Sequence, residues 1–110
     1  MQKYLFQASY TDTGLKGLLE ESGTHRQKAV EQTIRNLGGT MEAFYYAFGE
    51  TDVFVIANLP DNVSASSFSL VTNSAGTAKV RTTVLLTPDQ IDQATKKEVE
   101  YRPPGVVTGP

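Results

Sequence analysis

Residues 44–60, FYYAFGETDVFVIANLP, decide the fold of this chain. Two apolar runs of strand length flank a short turn, GETD at 49–52. Both runs are rich in the aromatic and β-branched residues that pack well on a pleated surface. The stretch therefore predicts a β-hairpin in the middle of the chain, with strands over 40–48 and 53–59.

The chain before the hairpin has the pattern of a strand followed by a helix. Residues 3–10 alternate between more and less apolar side chains with the period of two that a strand requires. Residues 12–20 contain two glycines, which weaken a helix, so they predict a turn or a frayed helix. Thr24 and Gln27 have the spacing of a capping box and predict the start of a regular helix, which the glycines at 38–39 end.

The chain after the hairpin predicts a second helix and a second outer strand. Asp61 is placed to cap a helix over 62–74. Residues 78–87 are rich in β-branched residues and predict a fourth strand. Thr87 and Gln90 form another capping box, which predicts a short C-terminal helix.

This order of elements, β-α-β-β-α-β, predicts an α+β, ferredoxin-like fold. In that fold two helices cover one face of a four-stranded antiparallel sheet. A chain of 110 residues has the size of one domain. We assign residues 1–97 to that domain. Residues 98–110 are rich in proline and are predicted to extend from the body as an arm.

The second predicted strand is apolar on both faces, which predicts a partner for the outer face of the sheet. An open sheet with helices on one face ordinarily has a polar outer face. The simplest cover is a second copy of the same sheet, so the sequence predicts a homodimer or higher oligomer. A charged residue at Phe44 or Phe48 is expected to break that dimer. The alternating sets are Ala43, Tyr45 and Ala47, and Phe44, Tyr46 and Phe48.

The composition narrows the classes of partner and site. A formal net charge of -2 produces no field of one sign that would gather phosphates, which argues against nucleic acid as a partner. The absence of cysteine excludes disulfides, thiolate catalysis and cysteine-ligated metals. No apolar run approaches the roughly 20 residues that span a bilayer, and the N-terminus lacks a secretory signal pattern. We therefore expect no membrane partner and a cytoplasmic location.

Several short motifs occur in the same order as in a known family. They are YLFQASYTDTG at 4–14, LGG at 37–39, FGETDVFVI at 48–56, NLPD at 58–61 and VRTTVLL at 80–86. On these motifs the chain resembles the GYD-domain family, within the dimeric α/β-barrel superfamily. The family's namesake glycine, tyrosine and aspartate would fall at Gly49, Thr51 and Asp52, with threonine in place of the tyrosine.

The resemblance covers residues 3–95 and implies a ferredoxin-like fold that dimerises through its sheets. This agrees with the two-sided strand. It implies no particular reaction, because the family has no established activity. The wider superfamily includes cofactor-free oxygenases, muconolactone-type isomerases, haem-dependent enzymes and ligand-sensing domains, so the fold leaves the function open.

The candidate ligand-binding residues are Tyr10, His25, Tyr46, Asp52 and Arg81. His25 is the only histidine, and an imidazole can act as a general base or a haem ligand. A lone histidine in the first turn of a helix is, however, more often a solvent-facing residue without such a role. One histidine with scattered carboxylates provides no recognised set of metal ligands. We therefore predict no metal site and no cofactor.

The other candidates each have a structural alternative. Tyr10 and Tyr46 either donate hydrogen bonds inside a cleft or pack in the core or the dimer interface, and Tyr45 must face away from Tyr46 on the same strand. Asp52 either fixes the hairpin turn or, if buried, acts as a general base. Arg81 binds an anionic ligand, forms an ion pair across the dimer, or is simply exposed.

Three classes of function fit these features. The leading hypothesis is a homo-oligomeric module that binds a small apolar or carboxylate-bearing molecule between sheet and helices. The rival is a cofactor-independent oxygenase or isomerase, for which at least two of the candidate residues must share one enclosed pocket. The third is a structural assembly protein whose C-terminal arm crosses between dimers.

Overall fold

The computed structural model describes residues 1–107, and over this range it confirms the predicted fold class. The four strands form one antiparallel sheet in the order β2-β3-β1-β4. This is the ferredoxin-like arrangement, with β1 and β3 in the centre. The elements in chain order are β1 (Gln2–Tyr10), α1 (Asp12–Glu21), α2 (Gly23–Asn36), β2 (Thr40–Tyr46), β3 (Val53–Leu59), α3 (Asn62–Ser74), β4 (Ala78–Leu85) and α4 (Pro88–Thr95).

The core lies between one face of the central strands and the helices α2 and α3. Alternate residues of β1 and β3 point into it, as the period of two requires. Phe6 of β1 contacts Phe68 of α3, with ring centroids 4.7 Å apart, and Ile34 of α2 is fully buried beside them. The buried members are Tyr4, Phe6, Ile34, Val53, Val55, Ala57, Leu59, Ala65 and Phe68.

Helix α1 is more regular than the sequence predicts, because Gly14 has a packing role. Thr11 caps the helix, with its hydroxyl accepting the N–H of Gly14 at 3.2 Å. The backbone N–H of Thr11 donates to the carbonyl of Thr77 at 3.0 Å. Any Cβ at Gly14 would collide with that same carbonyl group. The glycine therefore permits close packing of α1 on the start of β4, rather than fraying the helix.

The predicted start of α2 at Thr24 is wrong. The helix begins at Gly23, and Ser22 is its N-cap, accepting the N–H of His25 at 3.4 Å. Ser22 has φ of 86°, a conformation that L-residues rarely adopt. The chain turns sharply there, so the cap lies two residues before the position that the local capping-box pattern indicates.

The elements after the hairpin follow the sequence more closely. Strand β3 has the predicted bounds. Asp61 caps α3 through the N–H of Ser64 at 2.8 Å, and Thr87 and Gln90 form the predicted capping box at α4. Strands β2 and β4 each end two residues earlier than predicted.

The outer face of the sheet carries a mixed apolar surface. One cross-strand row runs through Ala43, Ile56, Leu5 and Thr83, and the next through Tyr45, Phe54, Gln7 and Arg81. Tyr45 is 70% exposed.

Phe44 lies on the opposite face, paired with Val55 and packed against the core. Phe48 lies beyond the end of β2 and is fully exposed. The outer-face residues of β2 are therefore Ala43 and Tyr45, and the assignment of Phe44 and Phe48 to that face is wrong.

The C-terminal segment makes the molecule long. Its extents are 68 × 28 × 24 Å and its radius of gyration is 18.4 Å, whereas a compact chain of this size has a radius of about 13 Å. Residues 91–107 are all exposed, and residues 96–107 contain neither helix nor strand. Residues 108–110 of the predicted arm lie outside the described residues. The domain boundary between residues 97 and 98 stays a prediction.

None of the helices in residues 1–107 is both long and apolar enough to cross a bilayer. The cytoplasmic location that the sequence suggests stays a prediction.

Candidate functional site

A cleft of about 280 Å³ lies between α2 and α3, above the helix-covered face of the sheet. It exists because the inward-facing positions of β1 change from large to small. Tyr4 and Phe6 fill the core, whereas Ala8 leaves space that the neighbouring Ala78 and Val80 of β4 do not fill. The apolar lining includes Phe6, Ala8, Val30, Phe44, Val55 and Val80.

Three polar side chains, Tyr10, Arg26 and Thr77, lie at one end of the cleft lining. Thr33 and Thr72 also line the cleft, but their hydroxyls donate to carbonyl groups one helical turn earlier, at 3.1 and 2.8 Å. The polar side chains that are not bonded to helix carbonyls therefore come from the end of β1, the first turns of α2 and the residue before β4. They give the cleft one polar end.

Tyr10 is a neutral phenol at physiological pH. Burial raises the pKa of Tyr10 to about 12, the neighbouring Tyr46 raises it further, and the Arg26 charge opposes the increase. A neutral phenol donates a hydrogen bond and is a very weak base. Tyr10 is therefore suited to hold an oxygen atom of a ligand, and it is unsuited to remove a proton.

Tyr46 lies beside Tyr10 but is not part of the cleft lining. Its hydroxyl donates to the carbonyl of Gly23 at 3.0 Å, and its ring packs edge-on against Phe44 at 5.2 Å. Burial raises the pKa of Tyr46, and the Arg26 charge opposes this change. Tyr46 thus fastens the start of α2 to β2 and supports the polar end of the cleft.

Arg26 forms an ion pair with Glu21 across the break between α1 and α2. Its Nη1 lies 3.4 Å from a Glu21 carboxylate oxygen, and the two side chains are 37% and 35% exposed. A guanidinium has five N–H donors, so this one contact leaves most of them free. The positive charge is positioned at the polar end of the cleft beside Tyr10.

Asp52 lies in the hairpin turn, outside the cleft lining. Its carboxylate accepts the backbone N–H of Tyr10 at 2.8 Å. Its own N–H donates to the carbonyl of Ala8 at 2.9 Å, and its carbonyl accepts the N–H of Ala47 at 2.9 Å. The bonds to Tyr10 and Ala8 join the β2–β3 turn to the end of β1, and the bond from Ala47 closes the hairpin.

His25 and Arg81 are also placed outside the cleft. His25 is exposed in the first turn of α2, where its Nδ1 lies 3.2 Å from the Ser22 hydroxyl and 3.0 Å from the Glu21 carbonyl. Arg81 is exposed on the outer face, opposite Gln7. Of the five predicted residues, the structure thus brings Tyr10 and Tyr46 together and separates the other three from the cleft interior.

Within residues 1–107 there is no group of three or more His, Asp or Glu residues that could hold a metal ion.

The comparison with protein families matches residues 4–95 to the GYD domain. The chain belongs to the GYD-domain family. The match extends from β1 to the end of α4, so the GYD domain contains the entire cleft. Neither the curated proteins nor the solved structures give a match to this sequence.

The GYD-domain positions that the resemblance assigns to the namesake residues lie in the β2–β3 turn. Thr51, which replaces the tyrosine, is 8% exposed. Asp52 makes the three bonds to neighbouring backbone described above. Asp52 thus ties the turn to β1, Thr51 is buried, and neither residue lines the cleft.

Arg26 is the residue of the GYD-domain cleft that the sequence analysis missed. A signal for it was present, because Arg26, Val30 and Ile34 recur at the helical spacing of four residues. An arginine on the apolar stripe of a helix faces the protein interior. Thr33 and Thr72 were missed for a different reason, since threonine on a helix carries no comparable signal.

Proposed function

We propose that this GYD-domain protein is a homo-oligomeric module that binds a small, largely apolar molecule in the cleft between α2 and α3. The observation that supports it is the cleft itself, an apolar cavity of about 280 Å³ with Tyr10 and Arg26 at one end. Small-molecule sites typically combine an apolar wall with a few polar groups that fix the orientation of the ligand.

Binding is favoured over proton-transfer catalysis by the positions and pKa values of the candidate residues. The rival hypothesis needs a base and a second functional group in one enclosed pocket. Tyr10 is protonated at physiological pH, since its pKa lies near 10 even in water and burial raises it to about 12. His25, Asp52 and Arg81 are absent from the residues that line the cleft. Tyr10 and Arg26 thus offer a ligand hydrogen-bond donors and a positive charge, which favour binding, but the cleft lining contains no general base.

The proposal is tested by native mass spectrometry of the purified protein under conditions that retain small ligands. A bound molecule is expected in the wild type. Val30→Phe should remove it by filling the cleft, because Val30 is part of the lining. Val63→Phe is the matched control, since Val63 is 77% exposed on α3, outside this cleft.

Circular dichroism verifies that both variants are folded. Retention of the molecule by Val30→Phe, at the same stoichiometry as by Val63→Phe, would place the ligand elsewhere. A wild type that carries no molecule, and binds none from a panel of small apolar compounds, would contradict the proposed function.

The proposed oligomer pairs two outer sheet faces, as in the dimeric α/β-barrel arrangement that the resemblance suggests. Support comes from the apolar row of Ala43, Ile56 and Leu5 across three strands. Leu5 and Ile56 lie in the central strands and are half-buried in the single subunit, so a partner sheet would complete their burial. We expect an even number of subunits.

A structural assembly role is the second candidate, and the C-terminal segment favours it. Residues 91–107 are all exposed, and they include Val99, at 77%, and Tyr101, at 72%. We propose that this arm crosses to another subunit. Deletion of residues 99–110 should then lower the mass that light scattering measures. An unchanged mass would remove the assembly role.

A further inference from the structure

We infer that the cleft selects a monocarboxylate with a small apolar body, whose carboxylate is bound by Arg26 and Tyr10. This inference rests on the proposed function, since it names the chemical class of the ligand that the same cleft takes. Its basis is the combination of one charge, the neutral phenol of Tyr10 and a limited apolar volume.

The charge at the polar end is positive and is only partly neutralised. Among the described residues that line the cleft, Arg26 carries the only charge. Its ion pair with Glu21 uses Nη1 at 3.4 Å, which is longer than the 2.7–2.9 Å or so of a strong charge-assisted hydrogen bond. Arg26 therefore keeps donors for a second carboxylate. A cationic ligand would face repulsion at this position.

Tyr10 complements Arg26 because it adds a donor without adding charge. Its hydroxyl remains protonated near neutral pH, so it does not repel an anion. A carboxylate has two oxygen atoms, which a guanidinium and a phenol can bind together. A phosphate carries more charge, and the single cation among the described lining residues, Arg26, would leave a dianion poorly neutralised. The donor set thus favours a carboxylate.

The remaining lining determines the body of the ligand. Behind the polar end the walls are mainly aliphatic or aromatic, and they include Phe44, Val55, Phe68 and Val80. The hydroxyls of the two threonines in this part, Thr33 and Thr72, are bonded to helix carbonyls. The volume of about 280 Å³ lies just below the range of about 300–1,000 Å³ that is usual for drug-sized ligands. The expected ligand is therefore an acid with a single ring or a short branched chain.

The test compares 3-phenylpropanoate with 3-phenylpropanamide, which has nearly the same shape but no charge. Isothermal titration calorimetry at pH 7 measures the affinity of each compound for the wild type. We expect the acid to bind about tenfold to a hundredfold more tightly, the ratio that corresponds to a charge-assisted hydrogen bond of about 1.5–3 kcal/mol. This comparison requires no variant, so it does not depend on the folding of a mutant protein.

Two arginine variants then test which positive charge is responsible for the preference for the acid over the amide. Arg26→Gln should abolish the preference for the acid. Arg35→Gln is the matched control, because Arg35 lies on the same helix, pairs with Glu31 and is 63% exposed. Tyr10→Phe should weaken binding of the acid severalfold without removing the preference.

The outcomes separate this inference from the proposed function. Equal affinities of the acid and the amide for the wild type would overturn the inference and leave the cleft as a binding site for neutral molecules. An equal loss of preference in Arg35→Gln and Arg26→Gln would also overturn it. If neither compound binds and Val30→Phe changes no ligand retention, the proposed function fails as well.

Discussion

Gly14 illustrates how one residue determines the packing of a whole helix. A methyl group at this position would collide with the carbonyl of Thr77, so Gly14→Ala should lower the free energy of unfolding by about 1–3 kcal/mol, as overpacking does. Gly17 lies in the same helix with open space around it. Gly17→Ala should therefore raise the stability by about 0.5–1 kcal/mol.

Urea denaturation of the two glycine variants, monitored by circular dichroism, measures both changes. Equal stability of Gly14→Ala and the wild type would mean that α1 moves away from β4 at little cost. The packing role assigned to Gly14 would then be incorrect.

Tyr10 gives the molecule a stability dependence in alkaline solution. Burial first, and then Tyr46, raise the pKa of Tyr10 to about 12 from an ordinary value of 10.0. The neutral phenol is thus favoured in the folded state. Its contribution to stability is complete below pH 10 and is lost as the pH rises to about 12.

The alkaline dependence is measured as the free energy of unfolding at pH 9 to 12 in the wild type and in Tyr10→Phe. We expect the wild-type value to fall more steeply in this range. Every other residue is the same in both proteins, so the difference between the two curves isolates Tyr10. Parallel curves would show that Tyr10 is more exposed to water than its position in the cleft indicates.

At the scale of elements, the break between α1 and α2 contains a strained residue. Ser22 has φ of 86° and ψ of 156°, a region that is nearly exclusive to glycine and costs other residues about 1–3 kcal/mol. Ser22→Gly relieves this strain and keeps a tolerable N-cap. Ser22→Ala keeps the strain and loses the cap. We therefore expect Ser22→Gly to be more stable than Ser22→Ala by about 1 kcal/mol or more.

Chemical denaturation of the two serine variants gives the comparison directly. Equal stability would indicate that the junction relaxes to an ordinary backbone conformation when the side chain is removed. The same pair tests the cleft, because the junction positions Arg26 and Glu21, and only a maintained junction preserves ligand binding.

The elements that the sequence predicted well are those whose caps are local. Asp61 bonds to the backbone of Ser64, and Thr87 to that of Gln90, so a window of four residues contains the whole interaction. The start of α2 was missed because Ser22 adopts its conformation at a junction where the hydroxyl of Tyr46 in β2 donates to the carbonyl of Gly23. Tyr46 and Gly23 are far apart in the chain, so a local sequence window does not contain this contact.

The candidate site was only partly predictable for the same reason. Tyr10 was identified because strand alternation assigns it to the buried face of β1. The alternation could not show that Arg81 faces away from the cleft, because the direction of β4 residues depends on register with β1. To predict that Arg26 lines the cleft, one must know which helix covers the space above Ala8. That space is a property of the packed molecule.

At the scale of the whole molecule, the outer sheet face determines the proposed oligomer. Tyr45 lies in the row of Phe54, Gln7 and Arg81 and is 70% exposed. Tyr45→Lys should halve the mass of a dimer, because the ammonium group would have to leave water when the two sheets pair. Leu70→Lys on α3 is the control, since Leu70 is 71% exposed on the opposite side of the sheet.

Size-exclusion chromatography with light scattering measures the mass of both variants over a range of concentrations. Tyr45 and Leu70 are about equally exposed, so a lysine at either position should change the stability of the isolated subunit very little.

A dimer that survives Tyr45→Lys but dissociates with Leu70→Lys would move the interface to the helices. In that case the partner would pack over the surface beside the cleft, and ligand binding would depend on protein concentration. If Tyr45 marks the interface, the cleft lies on the far side of each sheet and binding is independent of dimer formation.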